Sequence, residues 1–148
     1  MQRSADIVPT SVQIERSAPA RPLLEGGRIS ERAAAKMADF HANVIGEVAA
    51  VIASTPVVVV GMAQNPHVRA VRKALREAGV DFKYVEYGSY FSKWRERLAI
   101  KLWTGWPTFP QVFARGVLIG GEDLTKQAIA DGTLRALIAS ARASKEPG

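Results

Sequence analysis

Apolar residues along this chain repeat first with a helical period and then with strand periods. Met37, Phe40, Val44, Val48 and Ile52 recur at three- and four-residue steps, which predicts one long helix from an N-cap at Ser30 to about Ala53. Gly46 sits inside it at a cost of about 1 kcal/mol relative to Ala. Pro56 ends that region and opens Val57-Val58-Val59-Val60, a β-branched run without alternation that suits a central strand covered on both faces. Asn65-Pro66 is an N-cap followed by proline at the first helical position. The helix it starts turns Val68, Val71, Leu75 and Ala78 inward and Arg69, Arg72, Lys73 and Arg76 outward, and stops at Gly79. Phe82 to Tyr87 alternates with period two, so this stretch predicts a βαβ unit with a parallel pair and a right-handed crossover.

Phe91, Trp94, Leu98 and Leu102 predict the apolar side of a third helix from Ser89 to Trp103, closed by Gly105. Trp94 and Trp103 are expected in or near the core, and Trp106, in the following loop, at the surface. Two prolines and two aromatics crowd the turn Trp106-Pro107-Thr108-Phe109-Pro110, which feeds Gln111 to Ala114. That strand and Val117 to Ile119 flank Arg115-Gly116 as a tight hairpin. Gly120-Gly121 leads into a helix from Asp123 to Ala130, Asp131-Gly132 breaks it, and Thr133 caps a last helix carrying Leu134, Leu137 and Ile138. The predicted order, α-βαβ-α-ββ-α with an extra helix at each end, is a three-layer α/β arrangement around a small mixed sheet. Residues 1–29, with Pro9, Pro19, Pro22 and Gly26-Gly27, show no period and read as a flexible tail, with at most a brief extended piece at Val12-Gln13-Ile14. Residues 30–143 form the predicted domain and 144–148 a frayed end.

Composition narrows the chemistry. Twenty basic and fourteen acidic residues leave a net charge of +6, which welcomes an anionic partner but usually means only solubility, and nucleic acid is not expected. The 148 residues contain no cysteine, which removes disulfides, thiolate metal sites and thiol nucleophiles from this chain. Neither a secretory signal nor a bilayer span is visible, since the greasy stretch near Val48 to Val60 is broken by Ser54, Thr55 and Pro56. A cytoplasmic protein with no membrane partner is the expectation. His67 has no serine or carboxylate beside it in sequence and reads as a solvent-facing residue on a first helical turn; with two histidines and no cysteine, no metal site is expected. Between Arg69 and Lys101, nine basic residues against four acidic ones make either a solvated face or a positive rim.

From roughly residue 38 to 138, this order resembles the glutaredoxin branch of the thioredoxin fold. Trp106-Pro107-Thr108-Phe109-Pro110-Gln111, followed by Gly116, Gly120-Gly121 and Asp123, carries the resemblance. The Trp-Pro pair and the helix before the first strand are most similar to the monothiol glutaredoxins. The resemblance implies a mixed four-stranded sheet flanked by helices and a cis peptide bond before Pro110. It further implies that Thr108, Phe109 and Pro110 form a loop whose Phe109 backbone pairs with the cysteinyl residue of glutathione. Gly121, Glu122 and Asp123 would receive the γ-glutamyl carboxylate at a helix N-terminus. Arg97 would pair with the glycyl carboxylate.

This sequence departs from the family where the chemistry starts. Asn65-Pro66-His67-Val68 stands in place of the family's Cys-Pro-Tyr-Cys or Cys-Gly-Phe-Ser, so Asn65 occupies the nucleophile position. Thiol–disulfide exchange needs a thiolate, and an amide cannot supply one. No [2Fe–2S] cluster is expected from this chain alone, and the family's lysine, near Gly61 or Met62, is also missing. The expected function is binding of glutathione or of a peptide or protein partner, without disulfide oxidoreductase activity. Two alternatives stay open: a glutathione-dependent transferase using Asn65 to activate the cofactor's own thiol, and a scaffold that binds through its basic helices.

Overall fold

In the computed structural model, residues 19–145 are described, and side chains through Ser140. Residues 1–18 of the tail expected over 1–29, with its extended piece at Val12–Ile14, and residues 146–148 of the end expected over 144–148 lie outside the described residues. The chain divides at Met37/Ala38. The N-terminal unit holds a 3-10 turn, Gly26–Arg28, and most of α1, Glu31–Asp39, which buries no side chain.

Everything else belongs to the second unit and is built on β1, Val57–Gly61, in which every residue is buried. The sheet runs β2-β1-β3-β4, with β2 at Lys83–Glu86, β3 at Gln111–Ala114 and β4 at Val117–Gly120. β1 pairs parallel with β2 (Val59 opposite Tyr84) and antiparallel with β3 (Val59 opposite Val112), and β3 pairs antiparallel with β4. The valine run is therefore an interior strand with both faces covered, as its lack of alternation predicts. Val58 and Val60 pack with Val44, Val48 and Ile52 of α2, Ala42–Ser54, and with Ile100 of α4, Trp94–Thr104. Val57 and Val59 pack on the other side with Val71 and Leu75 of α3, Pro66–Glu77, Ala128 of α5, Glu122–Ala130, and Leu134 of α6, Thr133–Lys145. These three layers are the mixed four-stranded thioredoxin-type arrangement.

Three expectations need correction. The single helix from Ser30 to Ala53 is two helices, α1 and α2, separated at Phe40-His41, where His41 adopts a left-handed φ of 49°. A left-handed residue interrupts the i→i−4 hydrogen-bond ladder. Val44, Val48 and Ile52 are buried, whereas Met37 is exposed, so the stripe does not extend back into α1. The third helix begins at Trp94 rather than Ser89, because Ser92 Oγ accepts the Ser89 N–H in a turn and Lys93 is left-handed at φ 57°. Its buried side is Arg97, Ala99 and Ile100, while Phe91, Trp94, Leu98 and Leu102 face solvent. Trp103 is likewise exposed and Trp106 partly buried, the reverse of the expected order. Helical spacing alone cannot choose between two apolar sets on one short helix.

Smaller adjustments follow the same physics. Arg115 (φ 50°) and Gly116 (φ 83°) are both left-handed, the geometry of a two-residue hairpin turn. Asp131, not Thr133, closes the start of α6: its Oδ1 accepts from the Thr133 N–H at 2.9 Å and from Thr133 Oγ1 at 2.7 Å. The helix runs to Lys145, two residues past the expected boundary.

Candidate functional site

β1 delivers the chain to Asn65 at the start of α3. Asn65 is buried, and its Oδ1 accepts from the His67 N–H at 2.8 Å and the Val68 N–H at 3.1 Å. Two of the four N–H groups that a helix start leaves without partners are satisfied in this way. The amide oxygen at the family's nucleophile position is thus engaged as an N-cap.

α5 starts differently. Its N-cap is Gly121, which has no side chain to offer, so no side-chain cap closes this helix. The free N–H groups and the helix dipole favour a carboxylate there. A Cβ at Gly121 would lie 3.5 Å from both the Pro110 carbonyl oxygen and Trp106 Nε1, which shows how closely the loop approaches this helix start.

That loop is held by a buried polar side chain. Gln111, with no exposed surface, donates through Nε2 to the Trp106 carbonyl at 3.0 Å and the Thr108 carbonyl at 3.3 Å. Its Oε1 accepts from Thr104 Oγ1 at 2.9 Å, and Thr104 Oγ1 in turn accepts the Trp106 N–H at 3.1 Å. The Phe109–Pro110 peptide bond is cis. Trp106 Nε1 is shielded from solvent and has no hydrogen-bond acceptor among the described residues.

Together these pieces enclose a cavity of about 520 Å³ lined by His67, Trp106, Thr108, Phe109, Pro110 and Gly121 to Leu124, with Gln127. Its size falls within the range of about 300–1,000 Å³ typical of small-molecule sites. Six sequence-predicted residues meet here: Thr108, Phe109, Pro110, Gly121, Glu122 and Asp123. Arg97 is not among the lining residues. It is buried, and its Nη1 donates to the Tyr87 carbonyl at 2.9 Å and the Ser92 carbonyl at 2.7 Å, tying down the turn before α4. Asn65 does not line the cavity either. A larger cavity, about 670 Å³, opens beside Thr55 to Val57 and Val80 to Lys83, at the opposite ends of the parallel strands, and holds none of the predicted site residues. Ligands of open α/β sheets bind outside the carboxyl ends of the strands, which favours the cavity beside α3.

Sequence reasoning missed three features of this cavity. His67 Nδ1 lies 2.7 Å from Glu122 Oε1, so a carboxylate does stand beside this histidine, contrary to expectation. Lys126 Nζ donates to Glu122 Oε2 at 2.6 Å. The Lys126 hydrogen bond and then that of His67 hold the Glu122 carboxyl below its ordinary range, with burial opposing them. The third feature is Gln111, for which no sequence signal exists beyond its place after Pro110. The basic helices also differ from a freely solvated face: Arg72 is half-buried and stacks with its guanidinium carbon 3.8 Å from the Tyr84 ring centroid.

A mixed four-stranded sheet with a cis-proline loop facing an uncapped helix start defines a thioredoxin-fold protein of the glutaredoxin type. Comparison with known proteins agrees. The glutaredoxin family model matches residues 57–119. A glutaredoxin-like protein of Dictyostelium discoideum is 58% identical over 96 residues, covering 65% of this chain and 78% of that protein. A probable monothiol glutaredoxin of Legionella pneumophila is 34% identical over 76 residues, 51% of this chain and 81% of its own. Among solved structures, oxidized glutaredoxin 2 from Chlamydomonas reinhardtii superposes with a TM-score of 0.60 at 29% identity, over 69% of this chain and 96% of that one. This chain belongs to the glutaredoxin family, and it contains no cysteine.

Proposed function

We propose that this protein is a binding module that uses the glutaredoxin pocket without its redox thiol, holding glutathione or an extended peptide of a partner. The observation that carries this reading is the cavity of about 520 Å³ with the Thr108-Phe109-Pro110 loop and Gly121 to Asp123 in its lining, in a chain without cysteine. The uncapped start of α5 favours a ligand carboxylate. The backbone of Phe109 would pair with the peptide part of the ligand, as the family resemblance implies. Ligand thiol chemistry has no counterpart here, because reduction of a disulfide requires an attacking thiolate. Neither does this chain provide a thiolate for an iron–sulfur cluster.

The transferase reading gains nothing from the geometry. Asn65 Oδ1 is engaged by two backbone N–H groups, and Asn65 does not line the cavity.

Titration with reduced glutathione and, separately, S-methylglutathione, followed by backbone amide shifts, tests the proposal. Both ligands should move Phe109, Glu122 and Asp123 to a similar extent, since the sulfur has no reaction partner. If these amides stay unmoved at millimolar concentration of either ligand, glutathione is not the ligand. A shift with the free thiol alone would point instead to the transferase reading.

A further inference from the structure

The outward face of α4 carries apolar surface that the core does not use. Trp94, Leu98 and Leu102 on the helix, and Tyr90 and Phe91 just before it, are all exposed, Phe91 at 93% and Leu102 at 63%. Trp94, Leu98 and Leu102 follow one another at four-residue steps, which places them in a single ridge along the helix. Phe91 stands just before the helix start. So many large apolar side chains exposed side by side mark a contact surface. Lys93 and Arg95 flank the ridge, the Arg95 guanidinium carbon 4.8 Å from the Trp94 ring centroid. From Tyr87 to Gly121 the only acidic residue is Glu96, half-buried, against Lys93, Arg95, Arg97, Lys101 and Arg115.

We propose that this ridge docks on an anionic lipid surface, with Phe91 and Trp94 entering the boundary between headgroups and acyl chains and Lys93 and Arg95 pairing with headgroup phosphates. The charge and the shape favour this occupant over its rivals. A second copy in a two-fold contact would bring Lys93 and Arg95 close to their own equivalents, a like-charge cost. Single-stranded nucleic acid stacks on aromatic faces and would leave Leu98 and Leu102 unused. A partner helix docks in an apolar groove. Here the side chains protrude, and none of them lines the cavities described above. Aromatic and leucine side chains beside lysine and arginine are the composition of segments that lie in a membrane interface. Docking of this kind needs no spanning helix, and among the described residues no helix is long and apolar enough to cross a membrane.

Co-sedimentation of the full chain with vesicles tests the proposal, using phosphatidylcholine alone and an equal mixture of phosphatidylcholine and phosphatidylglycerol. The wild type should pellet with the mixed vesicles and much less with neutral ones. Phe91→Ser and Trp94→Ser should each weaken vesicle partitioning by about tenfold, the effect of withdrawing one large apolar side chain. Arg95→Glu combined with Lys93→Glu should remove the preference for anionic lipid. All of these positions are exposed, so circular dichroism should show unchanged folding. The proposal is overturned if the wild type binds neither vesicle, or if binding is indifferent to these substitutions. Dimer formation or oligonucleotide binding lost in the same variants, with no vesicle binding, would assign the ridge to those occupants instead.

Discussion

His67 Nδ1 and Glu122 Oε1 lie 2.7 Å apart although 55 positions separate them in the chain. The contact joins the first turn of α3 to the first turn of α5, the two helix starts that face the cis-proline loop. One helix start is closed by Asn65 and the other is left open at Gly121. At the open end the Glu122 carboxylate is engaged by both His67 and Lys126.

Glu122 gives the protein a pH dependence whose sign is set by its lowered pKa. Hydrogen bonds from Lys126 and His67 favour its carboxylate in the folded state. The stabilisation is therefore full above the ordinary range of an unfolded glutamate, about 4.3, and is lost as pH falls through the lower folded value. Glu122→Gln should be less stable than wild type near neutrality, by under about 1 kcal/mol as expected of a solvent-screened ion pair. The two urea unfolding curves should converge as pH drops below the carboxylate range. A gap that widens on acidification would contradict the assignment.

Asn65→Ala should lower stability by about 1 kcal/mol, the cost of leaving two helix N–H groups without their cap. Asn65→Asp retains the acceptor and should recover most of that loss. Because Asn65 does not line the cavity, glutathione-induced amide shifts at Phe109 and Asp123 should survive in both variants. Loss of those shifts in the Asp variant would give Asn65 a ligand contact.

Asn65→Cys asks whether the missing thiol is the whole difference from redox-active relatives. A thiol at this N-cap would face the His67 and Val68 N–H groups, and helix N-termini lower a thiol pKa from its usual value of about 8.5. Alkylation by iodoacetamide should then titrate below that value. A midpoint at or above it would mean that this helix start does not activate a thiolate.

Gln111→Leu should cost about 2 kcal/mol or more, since it strands the Trp106 and Thr108 carbonyls that the buried amide now satisfies. The same change should loosen the loop and weaken glutathione binding by about tenfold, as expected when a pocket loses its preorganisation. Calorimetric titration of the folded variant measures the second effect separately from the first.

Gly61→Ala should destabilise by about 1–3 kcal/mol through overpacking. The added Cβ would lie 2.8 Å from Val68 Cγ1 and 3.0 Å from the Tyr84 ring, and Val68 is fully packed. The missing family lysine near this position is thus no simple substitution at Gly61, where β1 passes close under α3. Chemical denaturation of the purified variant checks the direction.

Local rules made much of this protein legible from its residues alone. The valine run could only be an interior strand, Asn65-Pro66 could hardly be anything but a helix start, and Arg115-Gly116 had the residues of a two-residue turn. Thr108 to Pro110 and Gly121 to Asp123 were brought into one pocket by the resemblance to the glutaredoxins rather than by any local rule, and the absence of cysteine was plain from the composition. Contacts between distant segments were decided elsewhere. His67 and Glu122 meet because both helix starts open at the same end of the sheet, and no pattern within either segment encodes that. Gln111 turns inward because the loop before it bends back and presents two carbonyls that need donors. Arg97 is drawn under its helix by two more. In α4, whose apolar residues satisfy the helical period on more than one side, only packing against α2 and the sheet could choose Ala99 and Ile100 for the core and leave Trp94, Leu98 and Leu102 in solvent. Period specifies that a helix has faces; the free energy of burial against a particular neighbour decides which face is inside.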